Sequence, residues 1–139
     1  MSTIIKTRVA VMFGGRSVEH EVSVISGIQA MMSMDTDKYE VIPVYINKNN
    51  EMYIGDKIGD IEAYKNIKEL IAQSQRVIMI NEGNKVCLTP YPLKMFGKKS
   101  VIEIDIAFPI VHGTNVEDGA LQGYLKTIGI PFVGCDVTA

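Results

Sequence analysis

The sequence has little of what several classes of functional site require. Its 139 residues include no tryptophan, two histidines and two cysteines, and Cys87 and Cys135 stand far apart outside any CxxC spacing. Because neither cysteine has a histidine near it in the sequence, a zinc site and a disulfide framework are both disfavoured. We interpret both as reduced thiols of a cytoplasmic protein and predict no metal site, although a bond between them stays open at this level.

An excess of basic charge and long apolar runs are also absent. Fourteen lysines and arginines face 16 acidic residues, and the lysines form no basic stripe with aromatic residues, so we expect no nucleic-acid binding. No stretch approaches the roughly 20 apolar residues of a membrane helix. The apolar run at the N-terminus is short and lacks a small-residue cleavage site, so we predict neither a signal peptide nor membrane association.

What is present is the composition of an ordinary globular domain, with 47% hydrophobic and 22% charged residues. We predict one domain over residues 1–139, in which strands alternate with helices. The predicted strands lie at 8–13, 40–47, 104–111 and 130–136, with a short edge strand in 48–56 and a hairpin from 76–80 and 85–89. The predicted helices begin near Ser17, at 61 and at 118, with Gly129 ending the last. This order predicts an α/β fold: a Rossmann-like, open, mainly parallel sheet with helices on both faces.

The first helix is predicted from apolar residues at helical spacing. They are Val18, Val22, Ile25, Ile28 and Met32. The chain ends three residues after Asp136, just past a predicted strand, so we expect it to be one domain of a longer protein.

Two segments repeat the order strand, glycine turn, acidic residues, helix: VMFGGRSVEHE at 11–21 and PIVHGTNVEDG at 109–119. In an open parallel sheet, ligands bind beyond the carboxyl ends of the strands, where both turns should lie. A dinucleotide fingerprint needs GxGxxG and an acidic residue about 20 positions later. Here Val18 and Glu19 stand where the third glycine should be, the second strand ends at Asn47 without a carboxylate, and no GK[ST] follows.

Carboxylates beside a glycine turn favour a ligand with a positive charge over a phosphate. A carboxylate there accepts hydrogen bonds from an ammonium group, and its charge suits a helix N-terminus by roughly 0.3–1 kcal/mol. The backbone N–H groups of the glycine turn could hold the other end of the ligand or a charge that develops during reaction. An amino acid is a substrate of this kind.

The segments GGRSVEHEVSVISG at 14–27 and HGTNVEDGALQGYLKTIGIPFVG at 112–134 resemble two signatures of the D-alanine–D-alanine ligase family. They occur in the family's order and at a compatible distance, on either side of a variable middle at 47–100. The resemblance implies the N-terminal domain of an ATP-grasp enzyme in peptidoglycan precursor synthesis. ATP would phosphorylate the carboxylate of a first D-alanine, and the amine of a second D-amino acid, or a D-hydroxy acid, would attack the acyl phosphate.

The resemblance also assigns residues. Glu19 would hold the ammonium of the first D-alanine as the catalytic and binding carboxylate, and Val22 would form a wall of that site. Ser23 belongs to the same motif, in contact with the substrate or in support of the turn, and His112 with Gly113 would lie beside the same substrate. Two other interpretations stay open: Glu19 as an acid that complements the helix dipole, and His112 as a residue that caps the turn.

The resemblance is incomplete in two respects. Val116 replaces the middle glycine of the family's HGxxGEDG pattern, which would strain that loop if the position needs a positive φ. ATP and Mg²⁺ or Mn²⁺ would bind in two further domains outside this chain, which alone should be inactive, and the complete enzyme would be a homodimer. The ending GIPFVGCDVTA resembles vancomycin-resistance ligases that use D-serine. The alternatives are a non-catalytic Rossmann-like binding or oligomerisation domain and a nucleotide-binding module.

Overall fold

The computed structural model of the chain describes residues 6–15, 20–91, 101–110 and 123–132, with only the backbone at 20. The strands are β1 Thr7–Gly14, β2 Tyr39–Ile46, β3 Met52–Ile54, β4 Gln75–Glu82, β5 Lys85–Pro90, β6 Ile102–Ile104 and β7 Ile106–Ile110. The helices are α1 His20–Ser33, a 3₁₀ helix Ile61–Lys65, α2 Ile67–Gln73 and α3 at 123–128. None of the helices in these ranges is long and apolar enough to cross a bilayer.

The strands form one sheet in the order β6-β5-β4-β3-β2-β1-β7. β1 pairs in parallel with β2 and with β7, and a parallel bridge joins Ala107 to Phe132 in the predicted last strand. From β2 to β6 the pairs are antiparallel. The α/β class is confirmed, but the parallel arrangement describes only the half of the sheet around β1. In the other half, short turns return the chain antiparallel from β2 to β3 and from β4 to β5, whereas a parallel pair needs a long crossover.

Each face of the sheet carries its own core, because alternate residues of a strand point to opposite sides. One core packs α1 and α2 against Val9, Val11 and Phe13 of β1. The other packs Leu125 of α3 against Ala10 and Met12 of the same strand and their neighbours on β2, β4 and β5. The prediction of helices on both faces is therefore confirmed.

Helix α1 forms where the spacing predicts it, but it faces the sheet differently. Val22, Ile25 and Met32 of the predicted apolar stripe are 51%, 48% and 81% exposed. The buried side consists of Ser23, Val24, Gly27 and Ile28. A Cβ at Gly27 would lie 2.6 Å from Cβ and Cγ of Phe13, so glycine lets the helix approach β1 closely on this side. The buried side therefore combines one residue of the predicted stripe, Ile28, with Val24 and the small residues Ser23 and Gly27.

The predicted helix at 61–73 is interrupted at Asn66. Its side chain accepts a hydrogen bond from the Glu69 N–H at 3.2 Å, which makes Asn66 the N-cap of α2 and ends the 3₁₀ helix before it. Asparagine offers the backbone this local alternative, so it favours caps over helix interiors. The predicted edge strand is also placed differently, since β3 lies inside the sheet between β2 and β4.

Two predicted turns are confirmed by their backbone geometry. Gly83 and Asn84 join β4 to β5 with φ values of +61° and +67°, as a two-residue hairpin turn with the twist of a type I′ requires. Gly129 has φ +81°, and the Ile130 N–H donates to the Leu125 carbonyl at 3.2 Å while the Gly129 N–H donates to Lys126. This is the bonding of a Schellman ending, which Gly129 predicted for α3.

Candidate functional site

The parallel strands β1, β2 and β7 all end at one edge of the sheet. Gly14 of β1 is in register with Ile46 of β2, and Phe13 is in register with Ile110 of β7. Helix α1 begins six residues after Gly14, so its N-terminus follows the same edge. Ligands of open α/β sheets bind at such carboxyl ends, and both segments singled out in the sequence leave the sheet here.

The turn after β1 depends on glycine. Gly14 and Gly15 have φ values of +99° and +98°, which side-chain-bearing residues rarely adopt, and both are buried. The Gly14 N–H donates to Ser23 Oγ at 2.8 Å, and the Gly15 N–H donates to the Ile46 carbonyl at 2.8 Å. Both groups are therefore engaged within the protein, and the expectation that they hold a ligand is wrong for these two donors.

Ser23 joins the turn to the neighbouring strand. Its hydroxyl accepts from the Gly14 N–H and donates to the carbonyl of Ile110, the last residue of β7. The side chain is fully buried on the inner side of α1, so one hydroxyl links a helix and two strand ends. The predicted contact of Ser23 with the substrate stays a prediction. The hydrogen bonds observed are those expected of its other predicted role, the support of the glycine turn.

Val22 lies in the first turn of α1, next to Ser23, and its side chain is about half exposed. Glu21 is an exposed acid in the same turn. An exposed valine at this edge has the accessibility that a wall of a substrate site needs. Its predicted contact with the substrate stays a prediction.

The remaining predicted site residues lie outside the described part of the chain. They are Glu19, His112 and Gly113, together with Val116 of the second signature and Cys135. Their assigned roles stay predictions.

The end of β2 is built as a tight turn. Asn47 Oδ1 accepts from the N–H groups of Asn49 and Glu51, both at 2.9 Å, and Nδ2 donates to Glu51 Oε1 at 2.8 Å. The chain then returns antiparallel as β3. A dinucleotide site has a carboxylate near this position and a helical crossover after the strand, so the nucleotide-binding alternative loses support.

An aromatic cluster that the sequence analysis did not identify lies behind the glycine turn. The ring of Phe13, directly before Gly14, has its centroid 6.4 Å from that of Tyr45 and 6.3 Å from that of Tyr64, and the two tyrosine rings are 5.3 Å apart. The Tyr64 hydroxyl donates to the Ile58 carbonyl at 2.7 Å. Burial raises the pKa of Tyr45 to about 12 and that of Tyr64 further, so both phenols stay neutral at physiological pH. The only sequence signal for this packing is the small residue Gly27 in the first signature.

The chemistry of metals and thiols has little support in the described ranges. There, no group of three or more His, Cys, Asp or Glu side chains is placed to hold a metal ion. Cys87 is a buried free thiol, and its burial raises its pKa, which lowers its reactivity at neutral pH.

The fold and the arrangement at the strand ends define a class of protein: an α/β domain in which a glycine turn, a helix N-terminus and the end of a neighbouring strand meet at the carboxyl edge of the parallel strands. Residues 8–135 match the family described as D-ala D-ala ligase N-terminus, and the chain belongs to this family.

Curated relatives support the same family. The chain is 38% identical over 128 residues to a D-alanine--D-alanine ligase of Thermosipho melanesiensis, covering 92% of this chain and 34% of the relative. It is 40% identical over 134 residues to the enzyme of that name from Caldicellulosiruptor bescii, covering 95% and 34%. The chain therefore spans about one third of the length of these relatives.

Solved structures share the fold. The VanG D-Ala:D-Ser ligase of Enterococcus faecalis superposes with a TM-score of 0.69 at 31% identity, over 95% of this chain and 36% of that one. The D-alanine-D-alanine ligase of Coxiella burnetii gives a TM-score of 0.70 at 28% identity, over 92% and 35%.

Proposed function

We propose that this chain is the N-terminal, substrate-binding domain of an ATP-dependent D-alanine–D-alanine or D-alanine–D-serine ligase that makes the dipeptide of peptidoglycan precursors. The observation that carries the proposal is the family match over residues 8–135, which includes both signature segments. The fold supports it, because the first segment and the strand that leads into the second meet at one edge, where Ser23 bonds to both Gly14 and Ile110.

In the proposed reaction, the carboxylate of a first D-alanine is activated by ATP as an acyl phosphate. The amine of the second substrate attacks the acyl carbon, a tetrahedral intermediate forms, and phosphate leaves. ATP and Mg²⁺ or Mn²⁺ would bind in domains outside this chain. The enzyme would act in the cytoplasm as a homodimer.

The task of this domain would be to hold the first D-alanine. Glu19 directly precedes α1, where a carboxylate is favoured by the helix dipole and can accept hydrogen bonds from the substrate ammonium. His112 follows the last residue of β7, Ile110, by two positions in the sequence and would lie beside the same substrate. Val22, half exposed in the first turn of α1, would form an apolar wall of the site.

The second substrate is proposed to be D-alanine or D-serine. The E. faecalis structure is named a D-Ala:D-Ser ligase, whereas the curated relatives are named D-alanine--D-alanine ligases. A ligation assay with ATP and D-alanine, alone and with D-serine or D-lactate, distinguishes these substrates.

The test of the site is Glu19→Gln in the complete ligase that carries this domain. A hydrogen bond to a charged group contributes about 1.5–3 kcal/mol, so the KM for the first D-alanine should rise roughly 10- to 100-fold. Glu21→Gln is the matched control, since Glu21 is an exposed acid in the first turn of α1, two positions after Glu19 in the sequence.

Unchanged kinetics in Glu19→Gln, with a small loss of thermal stability, would instead support the helix-dipole interpretation. A complete protein without ligase activity would contradict the proposed function and favour a non-catalytic binding domain.

A further inference from the structure

Ser23 is unusual among the described residues because its polar side chain is completely buried. The other buried polar side chain in these ranges is Thr89, in the antiparallel half of the sheet. Burying a hydroxyl group costs free energy unless the group is hydrogen-bonded. The Ser23 hydroxyl accepts a hydrogen bond from the Gly14 N–H of β1 and donates one to the Ile110 carbonyl of β7.

The position of this hydroxyl is specific. Among the described residues, the pairing of β1 with β7 extends to Phe13 and Ile110, and the Ser23 hydroxyl bonds both the next N–H of β1, that of Gly14, and the Ile110 carbonyl. A side chain from α1 thereby adds a contact between the two strands at their carboxyl ends. It also ties the first turns of α1 to both strand ends.

The inner side of α1 combines small and apolar residues. It buries Ser23 and Gly27 together with Val24 and Ile28, whereas Val22 and Ile25 are about half exposed. This orientation brings the hydroxyl to the two backbone groups.

We propose that Ser23 is a positioning residue for the first D-alanine: it sets the distance between the end of β1, the end of β7 and the start of α1 without touching the substrate. This proposal rests on the proposed function. It differs from a purely structural role because loss of the hydroxyl should change the geometry of the edge more than the fold as a whole.

The first test needs no activity. Hydrogen exchange of the Gly14 amide, measured by NMR on this chain, should accelerate about 10-fold or more in Ser23→Ala, because the N–H loses its acceptor. Ser33→Ala is the matched control: Ser33 lies on the same helix, is exposed, and donates to Gln29 at 3.2 Å. Gly14 exchange that is equal in Ser23→Ala, Ser33→Ala and the parent chain would overturn the proposal.

The second test uses the complete ligase. In Ser23→Ala the KM for the first D-alanine should rise about 10-fold, the equivalent of one neutral hydrogen bond, while the KM for ATP stays constant. A structural role alone would lower stability and leave both KM values unchanged. Faster Gly14 exchange with an unchanged D-alanine KM would therefore overturn the coupling to the substrate.

Ser23→Cys keeps the size of the side chain but bonds weakly through sulfur, so both its exchange rate and its KM should fall between those of serine and alanine. If the alanine variant does not fold, the cysteine variant tests the proposal in its place. A Gly14 exchange rate and a D-alanine KM equal to those of the unsubstituted protein would then contradict the proposal. A complete protein with no ligase activity would contradict the proposed function, and the exchange experiment would still decide whether Ser23 holds the edge together.

Discussion

Replacement of Gly27 by alanine tests the close contact between α1 and β1. The added Cβ would lie 2.6 Å from Cβ and Cγ of Phe13 and 2.7 Å from Cδ1, whereas carbon atoms in contact are about 3.5–4.0 Å apart. The atoms concerned lie near the Phe13 backbone, so a rotation of the ring does not relieve the contact, and the helix or the strand must move.

The magnitude follows from two opposing terms. Overpacking a core costs about 1–3 kcal/mol, and removing a glycine from a helix interior gains roughly 1 kcal/mol. With contacts this short the first term should be near its upper limit, which leaves a net loss of about 1–2 kcal/mol. For a chain of this length that is a fall in Tm of about 3–7 °C, measurable by circular dichroism together with urea unfolding.

The matched control is Gly123→Ala, in helical α3. In the described part of the chain, a Cβ at Gly123 would have no heavy atom within 4 Å, so the same change should stabilise the protein by up to about 1 kcal/mol. The two variants should therefore differ in sign. A neutral or stabilising effect of Gly27→Ala would refute the reasoning, as would a double-mutant cycle with Phe13→Leu that shows less than about 0.5 kcal/mol of coupling.

Two further predictions concern stability. Met79→Ala should lower the free energy of unfolding by about 2–5 kcal/mol because Met79 is fully buried. Met32→Ala, at the exposed end of α1, should change it by less than about 0.5 kcal/mol. Similar losses for the two variants in urea unfolding would contradict the assigned burial. Burial raises the pKa of Tyr45 to about 12 from its ordinary 10, so the folded state keeps the proton where the unfolded state loses it. Stability should be complete below pH 10 and fall between pH 10 and 12 by up to about 1.4 kcal/mol per pH unit from this group. Tyr45→Phe should make the loss of stability between pH 10 and 12 less steep, and Tyr91→Phe is the control for the loss of an exposed phenol. An unchanged pH dependence of stability in Tyr45→Phe would argue against the raised pKa of Tyr45.

Local signals predicted the elements well where the cause is local. The β-branched run before Gly14 became β1, Gly83 and Asn84 closed a hairpin, and Gly129 ended a helix in the left-handed conformation. Each of these outcomes depends on residues within one turn or one strand, so periodicity and turn chemistry suffice to predict it.

Predictions failed where distant contacts compete with local pattern. The spacing of Val22, Ile25 and Met32 predicted the helix but not which side faces the sheet, because Gly27 approaches Phe13 more closely than a larger residue allows. β3 became an interior strand because β4, more than 20 residues later, pairs with it. The hydrophobic periodicity of a segment contains no information about its distant contacts, here Phe13 for α1 and β4 for β3.

The sequence alone determined the family, because its two signatures can be read residue by residue, and the type of ligand is proposed from that resemblance. Only the tertiary structure decided how the edge of the sheet is used: the N–H groups of Gly14 and Gly15 both bond within the protein, and the Ser23 hydroxyl connects Gly14 to β7. Ser23 and Ile110 are 87 positions apart, and their contact exists because parallel pairing brings the ends of β1 and β7 together under α1. A hydrogen bond over that separation is a product of the fold, and no local pattern predicts it.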